Sequence, residues 1–543
     1  MNAEITIGEY LLQQLHEHGV RHIFGVPGDF VLKFMTLIEE SELELINTCD
    51  EQGAGFAADA YARVQGLGAV CVTYGVGGLK IANTTAQGFA ELSPVVVISG
   101  APGIEERLRH PLIHHKVREF DTQKKVFEQL TVASTVLDNP DTALEEIDRV
   151  LAAALRFKRP VYIELPRDMV MVTGRRYHTP THAKTQSDPE TLQAAIKEAL
   201  TLINNAKQPV ILAGEEIHRF RLQNVLLDLI RKSNIPVAAT ILGKSVVDEV
   251  EPAYLGIYQG GIGQQDVREY VESSDCVIML GVMMTDMNLG IYTARLERER
   301  CIHAFSEKLS IGYHVYEDVQ FADFINALAT LPDLSPRELH CPPNCKLAPI
   351  YKVQDPNQPV TAERLFTRLN TFLGKDTIVI ADVGDALFGA ADFSVHRSAA
   401  FLSPAYYASL GFAVPAAIGV QKAQPHLRPL VLVGDGAFQM TGIELSTAAR
   451  FDCNPIVILL NNDGYVTERY IIDGSFNNIL RWNYSRLPEL LGKGRGFLVK
   501  TEGELEIALQ EAALHTESFC ILDVHLDKMD ASSTLKRVAS GLI

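Results

Sequence analysis

Short, continuous apolar runs recur along the whole chain, and several open directly after a proline. Those following Pro94, Pro160, Pro209, Pro236 and Pro455 include Val95-Val96-Val97-Ile98 and Ile456-Val457-Ile458-Leu459. Runs that are apolar at every position predict strands buried on both faces of parallel sheets, and proline is tolerated at a strand's first residue. Amphipathic stretches such as 192–203 separate the runs and predict helices, so the chain reads as an α/β protein. At the start, Thr6 and Glu9 make a capping-box pattern ahead of Leu11, Leu12 and Leu15 at helical spacing. A helix reaching Gly19 is predicted there, then a short strand over 21–24. The pattern lapses twice, in a polar, basic stretch over 166–189 and a proline-rich one over 332–359. These linkers predict three units of similar length, 1–175, 190–335 and 358–543. No short-period repeat is present, although the first and last thirds are loosely alike in strand and turn order.

A chain of 543 residues is longer than one hydrophobic core usually covers, in agreement with three units. Its 47% hydrophobic and 21% charged residues are an ordinary globular balance. A formal net charge of -18 disfavours nucleic-acid or anionic-membrane partners, which need a basic surface. The eight cysteines lie mostly inside apolar runs, which predicts buried thiols. Cys341 and Cys345 have a spacing that could suit a metal clip or a disulfide, but a structural zinc needs two further ligands and no second pair is present. The first ten residues have neither the basic start nor the apolar core of a signal peptide, and no run reaches the roughly 18 apolar residues of a membrane span. A cytoplasmic, reduced protein is expected.

The chemistry-bearing signals lie where strands end. A strand over 429–433 runs into Gly434-Asp435-Gly436-Ala437, a helical run follows over 442–450, and a second strand over 455–460 ends in Asn461-Asn462-Asp463-Gly464. Both strands deliver their C-terminal loops to one edge of a parallel sheet, where ligands sit in open α/β folds. Glycines let backbone N–H groups approach phosphate oxygens, and a carboxylate with an amide oxygen suits Mg²⁺. Gly-Asp-Gly alone is common as a plain turn; its pairing with Asn462 is what points to a diphosphate and metal site. In the first third, Glu51 stands between an apolar strand and the alanine-rich helix of 53–63, where a lone glutamate is more often a helix-terminus charge. Gly25-Val26-Pro27-Gly28-Asp29-Phe30 sets an acid beyond another strand. His114-His115 is a poor chelate for one metal in an extended chain, because adjacent residues point to opposite faces; separate hydrogen-bonding roles suit it better, and a plain surface pair is the alternative.

Gly-Asp-Gly followed some 25 residues later by Asn-Asn, together with the segment Asp50-Glu51-Gln52-Gly53-Ala54-Gly55-Phe56, resembles the thiamine-diphosphate enzymes. Asp29, His114 and His115 resemble the acid and double-histidine set of the 2-keto acid decarboxylases, in particular the phenylpyruvate, indolepyruvate and pyruvate decarboxylase group. The likeness covers essentially the whole chain. It implies three doubly wound parallel-sheet domains: pyrimidine-binding (1–175), middle (190–335) and diphosphate-binding (358–543). It implies thiamine diphosphate and Mg²⁺ as cofactors, with Asp435, Asn462 and the Gly464 carbonyl on the metal. Gly436, Ala437 and Asp385 join the cofactor site, and Ala408 and Leu410 hold the aminopyrimidine, Leu410 also propping the coenzyme into its bent form. Glu51 would drive the imino tautomer, and Asp29, His114, His115 and Glu468 would carry protons while CO₂ and an aldehyde leave. Many relatives read Thr-Val or Thr-Ile before the glutamate where this chain has Val466-Thr467. Leu387, where strict pyruvate decarboxylases tend to carry a large aromatic residue, and Thr467 imply aromatic or branched-chain 2-keto acids; Met284, Thr285 and Asp286 are further candidates for the pocket. The 214–223 stretch has no cysteine, so cysteine-based substrate activation is not expected. Active sites shared by two subunits imply a homodimer, and the family's usual assembly a homotetramer. The competing readings are a carboligase or oxidase, which generally lacks the histidine pair, and a non-catalytic binding protein, which should have lost Glu51 or a metal ligand.

Overall fold

The apolar runs become strands of three sheets in a computed structural model that describes residues 5–175, 186–306, 308–330, 334–342, 350–397 and 399–542. The first sheet contains β1 (His22–Gly25), β2 (Glu44–Asn47), β3 (Gly68–Val72), β4 (Val95–Ala101), β5 (Ala133–Val136) and β6 (Val161–Pro166). All are parallel, in the order β2-β1-β3-β4-β6-β5. The helix predicted before β1 spans Ile7–Glu17, and Thr6 and Glu9 form its capping box. The middle sheet has parallel strands β7 (Pro209–Ala213), β8 (Val237–Thr240), β9 (Tyr254–Tyr258), β10 (Cys276–Leu280) and β11 (Cys301–Phe305). An antiparallel hairpin, β12 (Lys308–Ile311) and β13 (His314–Tyr316), extends its edge. Two residues between β12 and β13 are too few for the crossover that a parallel pair needs. The third sheet comprises β14 (Thr377–Ala381), β15 (Phe401–Leu402), β16 (Arg428–Gly434), β17 (Ile456–Asn461), β18 (Arg495–Val499) and β19 (Cys520–His525), all parallel in the order β15-β14-β16-β17-β19-β18.

The first and third sheets therefore wind in the same order, which accounts for the loose likeness of the two end thirds. In each, the chain reverses its direction of travel across the sheet between the first and third strands. Ligand crevices form at the carboxyl ends beside such a reversal. In the first sheet the crevice lies between the ends of β1 and β3; in the third, between β14 and β16, followed by Asp382 and Asp435.

Helix Glu51–Gln65 of the first unit packs along helix Ala413–Ala423 of the third. The contact is close enough that a Cβ on Gly419 would collide with the Ala57 carbonyl oxygen, so glycine is required there. One apolar cluster runs through this interface from Val70 and Val97 to Val431 and Val457. Buried polar groups reinforce it. Asp59 binds Arg63 (2.8 Å) and accepts from Gln87 (2.7 Å), Arg63 donates to the Ser403 carbonyl (3.0 Å), and Arg219 of the middle unit donates to the Glu91 carbonyl (3.0 Å). No helix among the described residues is long and apolar enough to cross a membrane. Cys71, Cys276, Cys301, Cys453 and Cys520 are buried free thiols as expected; Cys345 lies outside the described residues. Cys49 is exposed instead, because it sits in the turn after β2 with its thiol toward the Ile443 carbonyl.

Glu215, just beyond β7, is 2% exposed and accepts the Met283 N–H (2.8 Å). Burial pushes its carboxyl up to about 8, well above its value in an unfolded chain. The folded state then holds a proton that the unfolded state has released, so this contribution to stability is complete at low pH and is lost as pH rises through about 8. The melting midpoint of Glu215→Gln is expected to fall less than that of the parent chain between about pH 5 and 9; parallel melting curves for the two proteins across that range would refute this.

Candidate active site

β16 delivers Asp435 directly into a helix, Asp435–Thr441, so the helical run begins earlier than the sequence pattern suggests. Asp435 is fully buried, and its carboxylate accepts the N–H groups of Gly436 (2.8 Å) and Gly464 (3.1 Å). Burial pushes this carboxyl up to about 7, helped by the nearby charge of Asp463 and opposed by the backbone N–H bonds. β17 ends in Asn461, and the following Asn462 is 3% exposed with its side-chain Oδ1 buried and lacking a hydrogen-bond partner. Gly464 is glycine for two reasons: its φ is 137°, and a Cβ would collide with the Asn477 carbonyl oxygen. A Cβ on Gly434 would meet nothing within 4 Å, so the strand end faces open space. A desolvated carboxylate and an orphaned amide oxygen beside that opening fit a hard divalent cation such as Mg²⁺. Ala437 is buried in the apolar cluster behind them.

The 403–412 segment passes close by. Ala408 is exposed with a left-handed backbone (φ 60°), and Leu410 is half-buried against the same cluster. Two carboxylates fix this arch, and sequence reasoning passed over both. Asp382, fully buried at the end of β14, accepts the N–H groups of Gly411 (3.1 Å) and Ala413 (2.8 Å). Glu91 of the first unit accepts those of Tyr406 (2.7 Å) and Tyr407 (2.9 Å). Asp382 occupies the same strand-end position as Asp435, a signal that was available in the sequence. Glu91 carries no such mark.

In the first unit Glu51 is itself the first residue of its helix, capped by Asp50, which accepts the Gln52 N–H (2.8 Å). Its carboxylate pairs with Lys80 (3.1 Å), which also binds Asp50. The turn before it is gripped from the third unit: Glu444, 1% exposed, accepts the N–H groups of Cys49 and Asp50 (both 3.1 Å) and the Thr447 hydroxyl (2.6 Å). Asp29, His114 and His115 come together near the β1 and β3 ends. His114 Nε2 lies 2.7 Å from Asp29 Oδ2, and the His114 ring stacks on Phe30 (4.9 Å between centroids). The expectation that the two histidines point apart fails. The backbone at His115 is left-handed (φ 66°), not extended, and the rings meet edge to face at 4.7 Å. One ligand atom from each of Asp29, His114 and His115 lies within 4.8 Å of the others. His115 Nδ1 is buried without a partner.

Glu468 is exposed on helix Val466–Ile471, four residues beyond Gly464. Asp385 stands differently: its carboxylate accepts both the N–H (3.0 Å) and the hydroxyl of Ser532, anchoring the chain just ahead of the C-terminal helix Ser533–Leu542. Leu387 is buried. Met284, Thr285 and Asp286 line a cavity of about 480 Å³ at the junction of the three units, with Arg159, His303 and Tyr406. Among the described residues, no hydrogen bond or ion pair joins Glu51, Asp29, His114 or His115 to Asp435, Asn462, Gly464 or Glu468.

Three family models match this chain: the thiamine pyrophosphate enzyme N-terminal TPP binding domain over 5–125, the central domain over 196–333 and the C-terminal TPP binding domain over 382–524. An indole-3-pyruvate decarboxylase of Azospirillum brasilense is 36% identical, covering 99% of this chain and 98% of its own. Alpha-keto-acid decarboxylases of Mycobacterium leprae (34%, covering 98% of this chain and 95% of its own) and Mycobacterium tuberculosis strain H37Rv (32%, 99% and 97%) are similar over comparable lengths. The chain belongs to the thiamine-diphosphate-dependent 2-keto acid decarboxylases.

The N-terminal TPP-binding match spans β1 to β4 of the first sheet, and the C-terminal one includes the loops after β14, β16 and β17 that carry Asp382, Asp435 and Asn462. In this decarboxylase, Gly464→Ala is expected to lower the melting midpoint and weaken Mg²⁺-dependent coenzyme binding, since the new methyl group must displace the Asn477 carbonyl and accept a positive φ that costs of order 1–3 kcal/mol. Calorimetry with and without cofactors measures both effects, and a variant that matches the parent in each would contradict the close packing.

Proposed function

We propose that this decarboxylase converts a 2-keto acid larger than pyruvate, aromatic or branched-chain, into an aldehyde and CO₂. Thiamine diphosphate would lie between two copies of the chain, its diphosphate on one copy and its aminopyrimidine against Glu51 of the other. The observation that carries this reading is the orphaned Asn462 Oδ1 beside the desolvated Asp435 carboxylate. These two oxygens and the Gly464 carbonyl would hold Mg²⁺, with Gly436 and Ala437 next to the diphosphate. The domain division at 1–175, 190–335 and 358–543 is part of the same reading.

Bound thiamine diphosphate supplies an electron sink for the charge left when CO₂ departs. Glu51, on a turn held by Glu444, would carry the proton exchanged with the aminopyrimidine. Ala408 and Leu410 would orient that ring, Leu410 from a half-buried position against the cluster. Asp29 and His114, 2.7 Å apart, form a pair that can pass a proton, and His115 and Glu468 would complete the set. The assembly would be a homodimer in which each copy completes its partner's site, with a homotetramer as the larger assembly. Leu387 and Thr467 support the larger substrate, because neither fills space as an aromatic side chain would.

With Mg²⁺ and thiamine diphosphate supplied, CO₂ release is expected to have a higher kcat/KM for phenylpyruvate, indolepyruvate or a branched-chain 2-keto acid than for pyruvate. A preference for pyruvate would overturn the substrate assignment, and no release from any of them the whole reading. Glu51→Gln is expected to lower kcat by about 10²- to 10⁴-fold while the coenzyme still binds; full activity in that variant would exclude the proposed proton carrier.

A further inference from the structure

Arg469 takes no part in the chemistry above, yet its side chain is only 2% exposed. It follows Glu468 on helix Val466–Ile471 and reaches back beneath the loop after β17. Nη1 donates to the carbonyl oxygens of Asn462 (2.9 Å) and Lys528 (3.1 Å). Nη2 donates to the carbonyl oxygen of Asp463 (2.7 Å) and to Oδ1 of Asn478 (3.0 Å). The nearest paired carboxylate, Asp473, is 4.0 Å from Nε, so the guanidinium's hydrogen bonds go to neutral oxygens. A planar fork of fixed donors can hold several carbonyls in one geometry, which a lysine ammonium cannot do.

The loop needs such support. Asp463 has a left-handed backbone (φ 61°), and Gly464 follows at φ 137°. Two successive positive φ values make a tight turn between Asn462, whose Oδ1 is buried without a partner, and Gly464, whose N–H donates to Asp435. Without a partner for its carbonyls, this turn can relax toward ordinary backbone angles and carry Asn462 away from Asp435.

We infer that Arg469 is a positioning residue of the metal loop, holding Asn462, Asp463 and Gly464 in the conformation that receives the divalent cation and tying them to Lys528 ahead of the C-terminal helix. The inference rests on the reading of this loop as the Mg²⁺ and diphosphate site. Direct electrostatics would act in the opposite sense, because a buried positive charge repels a dication and its removal would tighten metal binding. The sign of the change therefore separates positioning from charge.

The test uses the full-length protein with saturating thiamine diphosphate, titrated with Mg²⁺ while the fluorescence of Trp482, the single tryptophan, is followed. Trp482 lies on the segment that packs against this loop, 5.9 Å from the Tyr484 ring. Arg469→Met is expected to raise the half-saturating Mg²⁺ concentration about 10- to 100-fold, with a smaller loss of kcat once Mg²⁺ saturates. Arg469→Lys should fall between Arg469→Met and the parent chain. The melting midpoint without cofactors reports any general loss of structure. If Arg469→Met does not fold, Arg469→Lys decides, with a several-fold weaker half-saturation expected. Half-saturation equal to or tighter than the parent's in the folded variants would overturn the clamp alone. A parent chain with no Mg²⁺-dependent response would overturn the reading of the loop itself, and the clamp with it.

Discussion

The packing of helix Glu51–Gln65 against helix Ala413–Ala423 is the contact on which the rest of the structure depends. It is made of small residues at van der Waals distance, and it merges the cores of the first and third units into one apolar cluster. Burial at this density leaves no slack for the loops at its margins, so their backbone groups must find partners within the protein. Glu444 meets that need for the turn before Glu51, and Glu91 and Asp382 meet it for the arch that carries Ala408 and Leu410. Each carboxylate belongs to a different element from the loop it holds, and two of the three cross between units. The helix contact thus holds the turn before Glu51 and the arch of Ala408 and Leu410 on one frame.

Buried carboxylates are costly unless they are satisfied, and this molecule satisfies them in two ways. Asp382, Glu91 and Glu444 are paired with backbone N–H groups and serve as fixed brackets. Asp435 also has N–H donors, and burial raises its carboxyl to about 7 much as it raises that of Asp382 to about 6; what sets the Asp435 site apart is the Asn462 side-chain oxygen, which is buried without a partner. That oxygen is what the proposed divalent cation would satisfy.

Much of this was legible along the chain. The proline-led apolar runs read correctly as buried parallel strands because parallel sheets covered on both faces leave no alternation to mislead. Asp435 and Asn462 stood out because glycines and acids at strand ends carry both a turn and a chemistry. The antiparallel edge of the middle sheet was missed because a short hairpin of mixed polarity has the same local pattern as a loop. An extended backbone at the histidine pair is the default from sequence, whereas His115 is left-handed and the two rings meet edge to face. Such a conformation in a residue other than glycine leaves no mark in composition. Glu91, Glu444 and Arg469 were invisible for a different reason: each acts on backbone groups far away in sequence or folded back beneath a loop, and pairing of that kind is set by tertiary contact alone.

In the proposed dimer each site is completed by a second copy of the chain, with Glu51 of one copy serving the Asp435 loop of its partner. Mixing a Glu51→Gln chain with an Asp435→Ala chain, under conditions that let subunits exchange, and measuring 2-keto acid decarboxylation tests this most directly. Each variant alone should be inactive, and the mixture should recover activity, because every mixed dimer then contains one site with both residues intact. A mixture as inactive as its components, with mixed dimers present, would contradict the account and place both residues in a site within one chain.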